Sequence, residues 1–278
     1  MAREAGPDFI EALARGLDVL KSFQPGQRAL TLSEIAAVTG LARPTVRRIL
    51  LTLEEIGYVR PVDRGFTLTP RVLELGMTYI SSWNMWEVAE PHMRRLVKQT
   101  NESTSMAQLD GGDIVYVARV AVPKIVTLAV HLGTRFPAPA TSMGKVLLAA
   151  LDPADLAAVL AEPSRSGITS RWQPDHDELT RTLREVRAKG WALADQDLAA
   201  GIRSVATGVR DGDGRVVAAL NVTVHAAETS VEQLVEEHLP RLLRAAAEIS
   251  RDWALLGSLP IVVQDAACAP LPLSANLP

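Results

Sequence analysis

The stretch "ALTLSEIAAVTGLARPTVRRILLTLEEIGYVRPVDRGFTLTP", Ala29 to Pro70, decides how the rest of the chain is read. Thr31 and Glu34 in "TLSE" form a capping box, in which hydroxyl and carboxylate each satisfy an orphan backbone N–H. The box opens a short helix carrying Leu32, Ile35, Ala36 and Val38, and Gly40 ends it. Pro44 suits the first turn of a second helix, where its missing N–H is not needed. Val46, Ile49, Leu50 and Leu53 give that helix a buried stripe, and Gly57 stops it. "YVRPVDRGFTL" (58–68) then reads as two short strands around a turn. Two helices joined by a Gly-containing turn and followed by a hairpin make a winged helix-turn-helix.

The apolar stripe leaves Arg43, Thr45, Arg47 and Arg48 on the free side of the second helix. An arginine can donate two hydrogen bonds to guanine O6 and N7, and a threonine can touch a thymine methyl or a phosphate. Arg64, at the wing tip, is placed for a backbone phosphate or the minor groove. With Thr31 and Ser33, these are the candidate DNA-contacting residues. Any one arginine is equally a solvated helix face. The ordered set of cap, glycine turn, proline start, arginine cluster and wing argues for DNA.

Outward from this head, 9–23 places Phe9, Leu13, Leu17, Leu20 and Phe23 at helical spacing. Thr69 caps a further helix running to about Trp83, and another apolar helix covers roughly 86–100, with Pro91 expected to disturb it. From Glu102 the texture changes. "STSMAQLDGGDIVYVARV" is a hairpin around Asp110-Gly111-Gly112, "IVTLAVHLG" reads as another strand, and "TSMGKVLLAAL" as a helix. Helices follow near 153–161 and 175–189. Two strands joined by "DGDG" (211–214) come next, and a long amphipathic helix over about 230–254 closes the fold. The expected class is α+β: a winged helix-turn-helix over 9–69, a linker helix over 70–84, an effector-binding body with a mostly antiparallel sheet over 85–256, and a loose tail over 257–278.

Composition sets limits. The 278 residues carry a net charge of −3, which excludes a polybasic histone-like binder. Residues 1–70 hold nine basic and eight acidic side chains, so the small excess of positive charge lies in the head. Cys268 is the single cysteine, which leaves no disulfide within one chain. "MAREAGPDFIEALARG" has no apolar secretory core, and no run of about 18 apolar residues occurs. A cytoplasmic protein is expected. The five histidines lack ligand spacing, and "DGDG" has Val222 where a calcium loop needs Glu, so no metal or other cofactor is expected.

The blocks "ALARGLDVLKSF", "LTLSEIAAVTGLARPTVRRILLTLEEIGYV", "FTLTPRVLELG", "FPAPATSMGKVLLA" and "GWALADQDLAAGIRSVATGVRDGDGRVVAALNVT" resemble the IclR-type bacterial transcriptional regulators in order and spacing, over roughly residues 9–254. Several blocks are most similar to the subgroup controlling aromatic-acid catabolism, the protocatechuate and β-ketoadipate branch. The resemblance implies a homodimer, often a dimer of dimers, on palindromic double-stranded operator DNA. It also implies a GAF-like body that binds a small organic acid between a helix start and the sheet. Carried over by alignment, that lining falls at Ile125, Leu128, Phe136, Ser142, Met143, Ala194 and Ser204. The residues themselves add Thr141, Asp195 and Asn221 as polar candidates. Ala194 and Ser204 stand where the family's small-acid binders carry Asp and Cys, which argues against a glyoxylate- or pyruvate-like effector and for an aromatic acid or its ring-opened product. A competing enzyme reading rests on Ser142 and Lys145, which fit S-x-x-K, but the partner motifs S-D-N and K-T-G are absent.

Overall fold

A computed structural model describes residues 6–24, 26–27, 29–83, 85–123 and 130–258, with side chains undescribed at 78, 80–83 and 256–258. The chain divides into two compact units, Met1–Asn84 and Met85–Pro278.

In the first unit, α1 (Glu11–Lys21), α2 (Leu32–Thr39) and α3 (Arg43–Glu55) enclose a small core. Val19, Leu30, Ile35, Val46, Leu50 and Val59 are almost fully buried there, each such side chain worth about 1.5–3 kcal/mol of burial. β1 (Val59–Val62) and β2 (Gly65–Leu68) form the wing. Gly65 has φ +134° and its α-carbon faces the Leu30 carbonyl so closely that a β-carbon would stand 2.2 Å from that oxygen. This close seating lets Phe66 exchange both backbone hydrogen bonds with Leu30 and pins the wing to the start of α2. A 3-10 turn at Pro70–Val72, capped by Thr69, leads into α4 (Leu73–Trp83).

Two sequence expectations are corrected here. Leu20 and Phe23 of the expected stripe pack on the core, but Phe9, Leu13 and Leu17 are exposed, Leu13 to 62 %, and buried Val19 takes their place. Leu17 and Val19 are two residues apart and therefore lie on opposite helix faces. Val38 is likewise exposed.

The second unit is built on a six-stranded antiparallel sheet, ordered β5-β4-β3-β8-β7-β6. The strands are β3 (Ser103–Asp110), β4 (Asp113–Val120), β5 (Arg135–Pro137), β6 (Trp191–Asp195), β7 (Ile202–Arg210) and β8 (Val216–His225). Helix α5 (Met85–Thr100) runs unbroken through Pro91, against expectation. Burial of Met85, Ala89, Met93 and Leu96 offsets the one hydrogen bond that proline removes. α5 and α10 (Leu239–Ser258) cover one sheet face over Val205, Val209, Leu220 and Val222. α6 (Ser142–Ala150) and α8 (His176–Lys189) cover the other, over Ala107, Ala192, Ala206 and Ala219. Those alanines give α6 a flat floor. α7 (Pro153–Ala161) joins α6 to α8.

β5 was not anticipated, and the anticipated strand over 125–133 falls mostly outside the described residues. The closing helix is also interrupted. A short α9 (Val231–Gln233) passes into a π turn at Leu234–His238 before α10. The tail from 259 on lies outside the described residues.

Candidate DNA-binding and effector sites

The head presents its candidates by local chemistry. The capping box is complete: Thr31 N–H and Oγ1 donate to Glu34 Oε2 at 2.7 and 2.8 Å, and Glu34 N–H donates back to Thr31 Oγ1 at 3.3 Å. These bonds from the Thr31 backbone and hydroxyl hold the Glu34 carboxyl below its ordinary value. Thr31 is therefore occupied in capping. Arg43 Nη2 donates to Ser33 Oγ at 2.6 Å, tying the start of α3 to α2. Val46, Leu50 and Leu53 bury one face of α3. Arg47 and Arg48 are exposed on the other, Thr45 is half-buried, and Arg64 is exposed at the wing turn. The Arg47, Arg48 and Arg64 side chains make no hydrogen bond or ion pair with the described residues, which leaves their donors free for a phosphate or base edge.

In the second unit a cavity of about 70 Å³ opens between the start of α6 and the sheet. That is several times the space one water requires. Phe136, Thr141, Ser142, Met143, Ala194, Ser204 and Asn221 all border it. Ile125 and Leu128 lie outside the described residues. Asp195 is corrected: it turns away from the cavity, is exposed, and accepts from Arg203 Nε at 2.8 Å. Its neighbour Ala194 takes the inward face, as strand alternation requires.

Several bonds set the cavity's character. Ser142 and Ser204 share a hydrogen bond of 2.8 Å, and Thr141 Oγ1 caps α6 by accepting from Gly144 N–H. Asn221 accepts from Ser105 N–H and donates to Thr223 Oγ1. Tyr116 and Phe136 meet edge to face at 5.6 Å and supply an aromatic wall. Burial pushes the Tyr116 phenol up to about 12, so it stays protonated. Lys145 is buried. Its Nζ donates to Asp197 at 2.5 Å and to the Leu193 carbonyl at 3.1 Å, and lies over the Trp172 ring at 4.3 Å. It is thus directed to Asp197, while Ser142 is bonded to Ser204. Sequence reasoning missed Tyr116, Arg119, Asp197 and His225, which also line the cavity. Among the described residues no group of three His, Cys, Asp or Glu could hold a metal ion, and no helix is long and apolar enough to cross a membrane.

A winged helix-turn-helix with free arginines on its second helix, carried on one chain with an α/β body around a polar-floored cavity, defines a DNA-binding regulator of the ligand-sensing kind. Residues 12–63 match the IclR helix-turn-helix domain, and residues 77–251 match the C-terminal domain of the bacterial transcriptional regulator IclR. The chain belongs to the IclR family of bacterial transcriptional regulators. It is 40% identical over 244 residues to the Pca regulon regulatory protein of Pseudomonas putida, covering 87% of this chain and 84% of that protein. It is 33% identical over 247 residues to the p-hydroxybenzoate hydroxylase transcriptional activator of Acinetobacter baylyi, covering 87% and 91%. Its fold matches the crystal structure of an IclR homologue of Microbacterium hydrocarbonoxydans complexed with 4-hydroxybenzoate, with a TM-score of 0.76, 26% identity, and 88% and 99% of the two chains covered. The relatives are named as regulators, and the enzyme reading of Ser142 and Lys145 is set aside.

Proposed function

We propose that this regulator senses an aromatic carboxylic acid, or the acid formed when such a ring is opened, and changes its grip on operator DNA in response. The observation that carries the reading is the cavity itself. It has an aromatic wall of Tyr116 and Phe136, a soft side in Met143, and hydroxyl and amide groups at Ser142, Ser204 and Asn221. Ala194 and Ser204 leave it without the acid and thiol of the family's small-acid binders. A relative named as the Pca regulon regulatory protein, another named as the p-hydroxybenzoate hydroxylase transcriptional activator, and a homologue crystallised with 4-hydroxybenzoate support the same chemistry.

On the DNA side, α3 enters a major groove, with Arg47, Arg48 and Thr45 reading base edges or phosphates and Arg43 held at the groove mouth by Ser33. Arg64 reaches along the backbone from the wing, and the start of α2 around Thr31 and Ser33 lies near a phosphate. The working form is a homodimer on a palindromic site in the cytoplasm, with residues 70–84 linking head to body. Exposed apolar side chains on the outer face of α1 and on α4 (Leu73, Leu75, Met77) support self-association.

Ligand binding shifts an equilibrium between two arrangements only by its unequal affinity for them. Thermal unfolding of the full chain against protocatechuate, 4-hydroxybenzoate, muconate, β-ketoadipate, glyoxylate and pyruvate tests the effector class. A ligand present at one hundred times its dissociation constant adds about 2.7 kcal/mol. Stabilisation by the aromatic or ring-opened acids is expected. Stabilisation by glyoxylate or pyruvate instead sinks the argument from Ala194 and Ser204.

A further inference from the structure

β4 alternates its side chains between the two sheet faces only as far as Tyr116. Ala107 pairs with Tyr116, while its neighbour Met106 pairs with Ala118, so Val117 is the extra residue of a β-bulge. Ile114 and Tyr116 consequently join the core under α6, and Ala118 joins the opposite core under α5 and α10. Arg119, opposite Ser105 in the ladder, returns to the α6 face and lines the cavity beside Tyr116. In an unbroken strand these two residues, three apart, would point to opposite faces.

Arg119 carries charge into a place with little to balance it. Its Nη1 donates to Ser105 Oγ at 2.9 Å, and no carboxylate among the described residues lies within ion-pair distance. Burial pushes the guanidinium below its ordinary value, with Tyr116 the neighbour that opposes the shift. The other cation near the cavity, Lys145, is held by Asp197. His225 accepts from Ala227 N–H at Nδ1. Arg119 is thus the one cavity group among the described residues with a positive charge not already paired.

Building on the organic-acid reading above, we propose that Arg119, turned inward by the bulge at Val117, binds the effector's carboxylate. The guanidinium presents a planar fork that matches a carboxylate. The ring then lies along Tyr116 and Phe136. The Ser142–Ser204 pair, each hydroxyl already bonded to the other, is left for a neutral hydroxyl at the far end of the ligand.

Isothermal titration of the full chain with protocatechuate, 4-hydroxybenzoate and their neutral carboxamides tests the assignment. Wild type should favour each acid over its amide by about 30-fold or more, the scale expected for a desolvated charge pair. Arg119→Gln should level that preference to within a few-fold, and Arg119→Lys should restore part of it. Unliganded Arg119→Gln should melt at or above wild type, since it removes a desolvated charge, whereas a merely structural role predicts a lower melting temperature. If wild type binds the acids and Arg119→Gln keeps the full acid preference, the anchor is elsewhere and this assignment falls while the effector reading stands. If wild type binds neither acid, both fall together.

Discussion

Arg47 and Arg48 sit side by side on α3, and their single difference is rotation about its axis. Consecutive residues lie about 100° apart, so both cannot point at the same groove floor. Arg47 follows buried Val46 and shares its side of the helix with exposed Leu51, four residues on, whereas Arg48 precedes Ile49, which packs on the core. We expect Arg47→Ala to weaken binding to the cognate operator by about 1–3 kcal/mol if the side chain reads a guanine, with a much smaller loss on random DNA. Filter binding at fixed salt distinguishes this from a phosphate contact, which would weaken both equally.

At the scale of elements, α6 shows how close packing constrains the cavity. A β-carbon at Gly144 would stand 2.0 Å from the Ala138 carbonyl oxygen, a backbone atom with nowhere to go. Gly144→Ala must push α6 off the turn before it, costing about 1–3 kcal/mol and moving Ser142 and Met143 with it. Denaturant unfolding should show the loss, and effector affinity should fall alongside stability. Elements of this kind were open to sequence reading wherever local chemistry decides the outcome. The capping box at Thr31, the stripe on α3 and the hairpin at Asp110 each announce themselves within a few residues. What escaped depends on partners far along the chain. The α1 stripe was misread because Phe9, Leu13 and Leu17 match a helical period as well as the true core residues do. Arg119 escaped because a ladder slip against β3 reverses the parity of β4, and nothing in "DIVYVARV" marks where the slip occurs. The π turn at Leu234–His238 likewise leaves no trace in an amphipathic pattern. For the cavity, the sequence reading placed Ala194 and Asp195 together, although alternation within β6 turns only Ala194 inward, and the pairing of Asp197 with Lys145 could only be seen in the fold.

For the whole molecule, the exposed side chains of α1 carry the most weight. Helix faces of this kind, apolar both toward and away from their own core, leave a stripe that water must cover unless a second copy does. Sedimentation of the full chain at micromolar concentration should give the mass of a dimer or a multiple of it, and Leu13→Glu should shift it toward the monomer without lowering far-ultraviolet helicity. A monomer at all concentrations would overturn the homodimer reading. If, as proposed, a second copy closes that stripe, the amount of operator-competent regulator grows as the square of the monomer concentration while dimers are scarce. Cellular dosage would then be a second input to the promoter beside the small molecule, and halving synthesis of the protein would cut its response by more than half.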